Sequence, residues 1–531
     1  MVDGIKVANT KSPAPDNQPD DRVVERLSLA QHTRLTQVVL RDQTDGCNEL
    51  VQTHQWLLHG TERLALPGNL FVFEDVLTGR QQMLLKRAPL PDARPTPIPA
   101  DIRVKAQKAS GFDVELLAQT DEPDEVWTTL ECGPGTLERT RTLHAFQHSC
   151  RPGTAEHALP TLLSNTWGDR SRDGRICQAF MEKEIDAAAD FGADVVQIDD
   201  GWQKGTTANS VQANGVWTGF RAADEAFWSP HPERFANGLS PLVDKARRHG
   251  VRLGLWFAPD SATDFADWQH DGDTLLGLHC TFGVSFFKLD SINVTTSTGL
   301  ANLGRFFDRV MTGSAGRIVM DLDITAAKRP GYFGAMQVGP LFVENRYTDW
   351  HRYWPHQTMR NLWTLSRWID PRRLRMEFLN PTRNTERYTD DPLAPAAYAP
   401  ETLFATVMFA NPLAWFEVSN LPVDCAARMA DLITIWREHR EAIFAGTIIP
   451  IGAAPDGVSW TGFASIAADG AGYVLAFREL SAEASWNPRI PFLANGRRCQ
   501  TLAGNGDAQV SGDRLKLTVA EPLGFVFAHL R

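Results

Sequence analysis

Between residues 21 and 155 apolar and polar positions alternate in short runs: "RLTQVVLRD", "NLFVFEDVL", "RQQMLLKRA", "DIRVKAQKA", "FDVELLAQT" and "VWTTLECGPG". A period of two turns one face of each run to a core and the other to water. Gly, Asp and Pro between the runs supply turns at the spacing of a sandwich. The stretch therefore predicts an N-terminal β-sandwich, with no helix-period run of useful length. Ahead of it, residues 1–20 are polar and Pro-rich and read as a disordered arm.

The pattern changes near residue 156. Short apolar runs now alternate with amphipathic ones of helical period, such as "ICQAFMEKEIDAAADFG" and "GLANLGRFFDRVMTG". The candidate strands are "LLSNTW", "VVQIDD", "RLGLWF", "FFKLD", "RIVMDLD", "LFVEN", "RMEFLN" and "LAWFEV". Eight strand–helix alternations over residues 156–445 predict a (β/α)8 TIM barrel. An open doubly wound sheet shares the alternation, but the number of strands and the lack of a Gly-rich phosphate loop favour closure. From 446 to 531 the alternating pattern returns in "GVSWTGFASI", "GYVLAFREL", "RLKLTVA" and "GFVFAHLR", predicting a C-terminal antiparallel β-sandwich domain.

The formal net charge of −11 argues against nucleic acid or an anionic membrane surface as partner. No apolar run reaches the length of a membrane-spanning helix, and the N-terminus lacks the apolar core of a secretory signal. The seven cysteines are scattered without a CxxC pair, which reads as buried reduced thiols in a cytoplasmic protein. Sixteen Trp against six Tyr is an unusual ratio. It fits either core packing or a cleft whose flat apolar walls receive sugar rings.

In a barrel, chemistry is built where the strands end. Here those ends carry Trp167 and Asp169, then Asp199, Asp200 and Trp202, then Trp256 and Asp260. Further along come Lys288, Asp290 and Asn293, then Asp321 and Asp323, then Glu344, Arg346 and Asp349. Any one carboxylate after a strand has a plain alternative role, capping the next helix; carboxylates at most of the ends exceed what capping needs. Histidine is nearly absent from these ends, so neither a zinc site nor any other metal or cofactor is expected. Nor is there a GxSxG elbow. Paired carboxylates without metal fit glycoside hydrolysis, one attacking the anomeric carbon and the other protonating the leaving oxygen. Within "FFKLD", Lys288 and Asp290 fall on one face because the strand period is two. Lys288 would keep the Asp290 carboxylate ionised; the competing reading is a structural ion pair.

These motifs resemble those of the clan of α-galactosidases and related α-glycosidases, most closely glycoside hydrolase family 36. The matching elements are "QIDDGWQ", "LGLWFAP", "FFKLDSIN" and "ENRYTDW" in that order. The resemblance implies the three-domain order read above, a retaining mechanism without cofactor, an oligosaccharide or other glycoside as substrate, and a tendency to form homo-oligomers. It makes Asp290 the nucleophile and Asp349 the acid/base, with Glu344 the alternative acid/base. Asp199 and Asp200 would accept from the O4 and O6 hydroxyls of a galactose-like ring. Trp167, Trp202 and Trp256 would line the pocket; Lys288, Arg346 and Asn293 would reach the sugar. Asp349 would be protonated at rest through burial and the Asp290 charge.

The reading is thus a retaining α-galactosidase working by double displacement. Another sugar of the same clan (N-acetylgalactosamine, glucose or a modified hexose) and transglycosylation use the same residues. Two remote alternatives are a Schiff-base aldolase with Lys288 as the amine and a non-catalytic carbohydrate-binding barrel.

Overall fold

The computed structural model describes residues 21–58, 63–107, 111–490 and 497–531; the predicted N-terminal arm lies outside them. Eight parallel strands close on themselves in chain order. They are β1 (Leu163–Asn165), β2 (Val195–Ile198), β3 (Arg252–Phe257), β4 (Phe286–Leu289), β5 (Val319–Asp323), β6 (Leu341–Phe342), β7 (Leu374–Phe378) and β8 (Asn411–Ala414). β1 pairs with β8, Leu163 opposite Leu413, which closes the ring. The register puts Trp256, Lys288 and Asp321 side by side across β3, β4 and β5. The TIM barrel read from the sequence is present, with antiparallel sheets on both sides of it in the chain.

Before the barrel, a four-stranded sheet (residues 21–29, 112–119, 102–106 and 63–66 in spatial order) accompanies a five-stranded one (51–57, 33–40, 70–75, 81–86 and 127–132). Leu35, Phe71, Phe73, Val104, Phe112 and Val114 form their shared core. After the barrel come a five-stranded and a three-stranded antiparallel sheet, packed through Val474, Leu515, Leu517 and Val526.

One helix was not expected. Thr136–Ser149 is α-helical, inside the segment read as purely β. Its buried side is Leu137, Thr140, Leu143, His144 and Gln147, a helical stripe half made of polar residues and therefore invisible as a hydrophobic period. Those polar groups dock the helix onto the barrel: His144 Nε2 lies 3.0 Å from the Ser366 carbonyl, and Gln147 Nε2 donates to the Trp368 carbonyl at 2.8 Å. The cysteines also differ from expectation: all seven are unpaired, yet only Cys425 is buried. No helix among the described residues is long and apolar enough to cross a membrane.

The loop after strand Thr33–Leu40 leaves the sandwich and lies on the barrel mouth. Gln43 N donates to the Ile324 carbonyl at 2.8 Å, and Asp45 N to the Thr325 carbonyl at 3.1 Å. Two-residue pairing of this kind fixes the loop against the chain just beyond β5.

Several buried ionisable groups tie stability to pH. Burial pushes Asp42, Asp271 and Glu479 up to about 7, so the folded chain takes up protons there while the unfolded chain does not until near the ordinary carboxyl range. Stability from these groups therefore rises as pH falls through 7. Burial lowers His144 and His157 to about 4, which opposes the gain only once unfolded histidines begin to protonate near pH ~6.5. The melting temperature should accordingly be higher near pH ~6.5 than near pH ~8. A scanning-calorimetry series in which it is flat or inverted would contradict this.

Candidate active site

A cavity of about 520 Å³ opens at the C-terminal end of the barrel strands. Its wall is assembled from Trp167 and Arg170 after β1, Asp199 and Asp200 after β2, Trp256 on β3, and Lys288 and Asp290 from β4. Asn293, Asp323 and Arg329 continue the wall, followed by Asn345, Tyr347 and Trp350 after β6. Asp45 closes it from the N-terminal loop.

β4 shows why "FFKLD" carries charge among aromatics. Phe286, Phe287 and Leu289 are buried, and Lys288 points inward, its Nζ over the neighbouring rings of Phe342 and Trp415. Its Nζ donates to Asp199 Oδ2 at 3.2 Å. Burial works against the Lys288 charge, but Asp199, then Asp290 and Asp323, outweigh it and raise its pKa. The amine is therefore held protonated, the opposite of what a Schiff-base lysine requires.

Asp290 sits one residue beyond the strand. Its Oδ1 accepts from Ser291 N at 2.6 Å and Arg329 Nη2 at 3.1 Å; Oδ2 accepts only a longer bond from Trp256 Nε1, 3.4 Å. Burial acts to raise its pKa, but Arg329 and then Lys288, aided by these hydrogen bonds, hold it below the ordinary carboxylate value. Ser291 has φ of 57°, a left-handed conformation that costs a non-glycine residue of order 1 kcal/mol. The strained turn aims its N–H at the carboxylate, the kind of local cost found at functional sites.

Arg329 is the residue that sequence reasoning missed. It spans two carboxylates, with Nη1 donating to Asp323 Oδ1 at 2.5 Å while Nη2 serves Asp290. Burial, then the Asp290 charge, push Asp323 up to about 6 against the pull of Arg329 and Lys288. Neighbouring carboxyls driven apart in this way adopt different protonation states at one pH. Nothing in "ITAAKRPGYF" marks Arg329 as an inward-facing cation, because it lies on an irregular segment without period.

Asp199 and Asp200 reach the cavity as expected, and both arrive with protein partners. Asp199 Oδ2 also accepts from Asn165 at 2.9 Å, and its Oδ1 from Asp200 N at 2.9 Å. Asp200 receives Gln203 Nε2 at 2.6 Å and the Thr207 hydroxyl, and burial raises it to about 6.

Three expected contacts fall elsewhere. Trp202 is fully buried beneath Trp256, donating from Nε1 to its carbonyl at 2.7 Å. Gly201 at φ 116° turns the chain away there; a Cβ at that position would come within 2.5 Å of Asp173 Cβ. Glu344 and Arg346 line a second cavity with Arg360 and Asp456. The chain after β6 is extended, so alternate residues face opposite ways: Asn345 and Tyr347 face the Asp290 cavity, Glu344 and Arg346 turn from it. Arg346 instead holds the Cys47 carbonyl at 3.1 Å. Asp349 also departs from expectation. Its side chain is 32% exposed, and Oδ2 lies 3.5 Å from Arg170 Nε. Its neighbours Tyr347 and Trp350 line the Asp290 cavity, but Asp349 itself is not among the lining residues.

No family model matches the chain. The structure superposes on the GH36 α-galactosidase AgaA of Geobacillus stearothermophilus with a TM-score of 0.67 at 11% identity, covering 95% of this chain and 76% of that one. A variant of AgaA has been solved in complex with raffinose and superposes at 0.65, with 12% identity and the same coverage. In sequence, α-galactosidase 2 of Pediococcus pentosaceus is 26% identical over 145 residues, 27% of this chain and 17% of that protein. The chain thus has the architecture of the GH36 α-galactosidases, a glycoside hydrolase fold.

Arg329 should be the keystone of the buried charges. Arg329→Met leaves Asp290 and Asp323 without their shared cation, a change that costs roughly 3–5 kcal/mol at buried pairs. Adding Asp290→Asn to that variant should raise its melting temperature again, because the uncompensated charge is gone. Strictly additive losses in the double variant would refute the bridge.

Proposed function

We propose that this protein is a retaining α-glycoside hydrolase acting on terminal α-linked galactose. The observation that carries this reading is Asp290. Arg329 and Lys288 hold it ionised in the wall of the cavity, and Oδ1 takes the two closer hydrogen bonds while Oδ2 accepts the longer one from Trp256. In this reading Oδ2 attacks the anomeric carbon and the glycosidic C–O bond breaks. Asp349 passes a proton to the departing oxygen. Water, deprotonated by Asp349, then cleaves the glycosyl ester and restores Asp290. Arg170, beside Asp349, holds the carboxylate that forms after proton transfer.

Asp199, carrying Lys288 as its counter-ion, and Asp200 beside it supply acceptors for ring hydroxyls across the barrel from Asn345. The α-galactosidase relatives support galactose; raffinose, bound by the AgaA variant, supports an oligosaccharide as natural substrate. Glucose, N-acetylgalactosamine or a modified hexose would be received by the same acceptors with different neighbours. Transglycosylation differs only in the acceptor of the second step.

A panel of nitrophenyl α- and β-glycosides tests the reading. The α-galactoside should be cleaved, and Asp290→Asn should lower kcat by at least roughly 10³-fold. Asp349→Asn should cost far less on the nitrophenyl substrate, whose leaving group needs little protonation, than on an alkyl galactoside. Cleavage of a different α-glycoside would correct the sugar and keep the mechanism. Near-full activity in Asp290→Asn would overturn it.

A further inference from the structure

A second cavity, of about 410 Å³, lies where three parts of the chain meet. The loop after strand Thr33–Leu40 brings Glu49, the segment after β6 brings Glu344 and Arg346, and a loop of the C-terminal domain brings Asp456. The helix Pro355–Leu365 adds Arg360 and Asn361. Glu344 is buried; its Oε1 takes the Asn361 side-chain amide, while Oε2 has no hydrogen-bond partner among the described residues. We propose that this cavity is a binding site for a neutral polyhydroxylated molecule of monosaccharide size, separate from the Asp290 cavity. The inference goes beyond the function proposed above and does not rest on it.

A buried carboxylate oxygen without a donor is costly to keep, and at the wall of a cavity it calls for a donor from outside the chain. The neighbouring cations have the opposite need. Arg346, Arg352 and Arg360 line the same cavity. Each commits a nitrogen to a backbone carbonyl, that of Cys47 at 3.1 Å, of Asp45 at 3.2 Å and of Pro455 at 3.0 Å. The carboxylates facing Arg346 and Arg360, Glu344 and Glu49, stand 4.0 Å away, beyond hydrogen-bonding reach. An acceptor without a donor and guanidinium donors without close carboxylates thus share one space. A hydroxyl group answers both, because one oxygen donates and accepts, and a sugar carries several on adjacent carbons.

Charge selects against the alternatives. The three arginines are matched by three carboxylates, Glu49, Glu344 and Asp456, so no net charge draws in an ion of either sign. A phosphate would suit the guanidiniums but meet Glu344; a cation would suit Glu344 but meet Arg346. His356 adds no positive charge near neutral pH, because burial lowers its pKa. Trp354 supplies an aromatic wall, its Nε1 anchored to Asp391 Oδ2 at 2.7 Å, and an indole ring suits the apolar face of a pyranose. The volume lies within the ~300–1,000 Å³ of small-molecule sites. The extended chain after β6 divides the two cavities, with Glu344 and Arg346 on this side and Asn345 and Tyr347 on the other. A ligand here is therefore distinguished by position from one beside Asp290.

Crystals of the full chain, soaked separately at graded concentrations of galactose, glucose and inorganic phosphate, test the proposal, since occupancy is then read at each position. A hexose should fill the cavity beside Glu344, Arg346 and Trp354, and phosphate should not. Glu344→Gln, which removes the charge and keeps the shape, should raise the half-occupancy concentration roughly 10-fold. Arg360→Met, a change at a half-buried helix position, should raise it as well and serves where Glu344→Gln does not fold. A cavity left empty by both hexoses, or filled by phosphate in their place, overturns the proposal whatever the Asp290 cavity binds. Unchanged occupancy in the folded variants overturns it too.

Discussion

A single guanidinium organises the mouth of this barrel. Arg329 donates to Asp290 with one nitrogen and to Asp323 with another. Without it, two carboxylates at the ends of adjacent strands would face each other in a buried space already crowded by Asp199. With it, and with Lys288 on the far side, Asp290 is kept low, while burial and the Asp290 charge lift Asp323 to about 6 against the pull of both cations. The separation matters chemically: a nucleophile must be ionised across the working range, whereas a neighbour that titrates near 6 lets the cluster shed negative charge. The rest of the site is arranged around that division. The strained Ser291 turn aims an N–H at Oδ1, and Trp256 reaches the other oxygen only weakly.

Arg329 is in turn held from outside the barrel. It follows residues 324 and 325, whose carbonyls receive Gln43 and Asp45 from the N-terminal loop, and its Nε donates to the Ile292 carbonyl at 3.1 Å. The N-terminal sheets therefore do more than flank the barrel. They anchor the segment bearing the key cation, and they place Asp45 on the cavity wall, where burial raises its pKa. The domain order that the sequence suggested acquires a physical purpose here, since the barrel alone leaves the segment after β5 without these partners.

The eight strands were legible because each is a short apolar run alternating with helix-period segments, and Lys288 and Asp290 were legible because strand period put them on one face. Most of the cavity residues that escaped reading share one cause, the absence of period. Arg329, Asp45, Trp217 and Trp350 lie on irregular segments whose side-chain directions are set by tertiary contacts. Parity also misled in one place. Glu344 and Arg346 stand beside the inward-facing Asn345 and Tyr347, and a one-residue difference in extended chain sends them to another cavity. The Lys288 partner was half right: it does act on Asp290 through space, but its hydrogen bond goes to Asp199. Helix Thr136–Ser149 was hidden because its buried side is partly polar.

The central claim is that Asp290 is the nucleophile held ionised by Arg329. The most direct measurement is mechanism-based trapping: incubation with 2-deoxy-2-fluoro-α-galactosyl fluoride, then proteolysis and mass spectrometry of the labelled peptide. The account predicts a single fluorogalactosyl group on Asp290, with activity returning as the ester turns over. A label on Asp323, or on any residue other than Asp290, would contradict it.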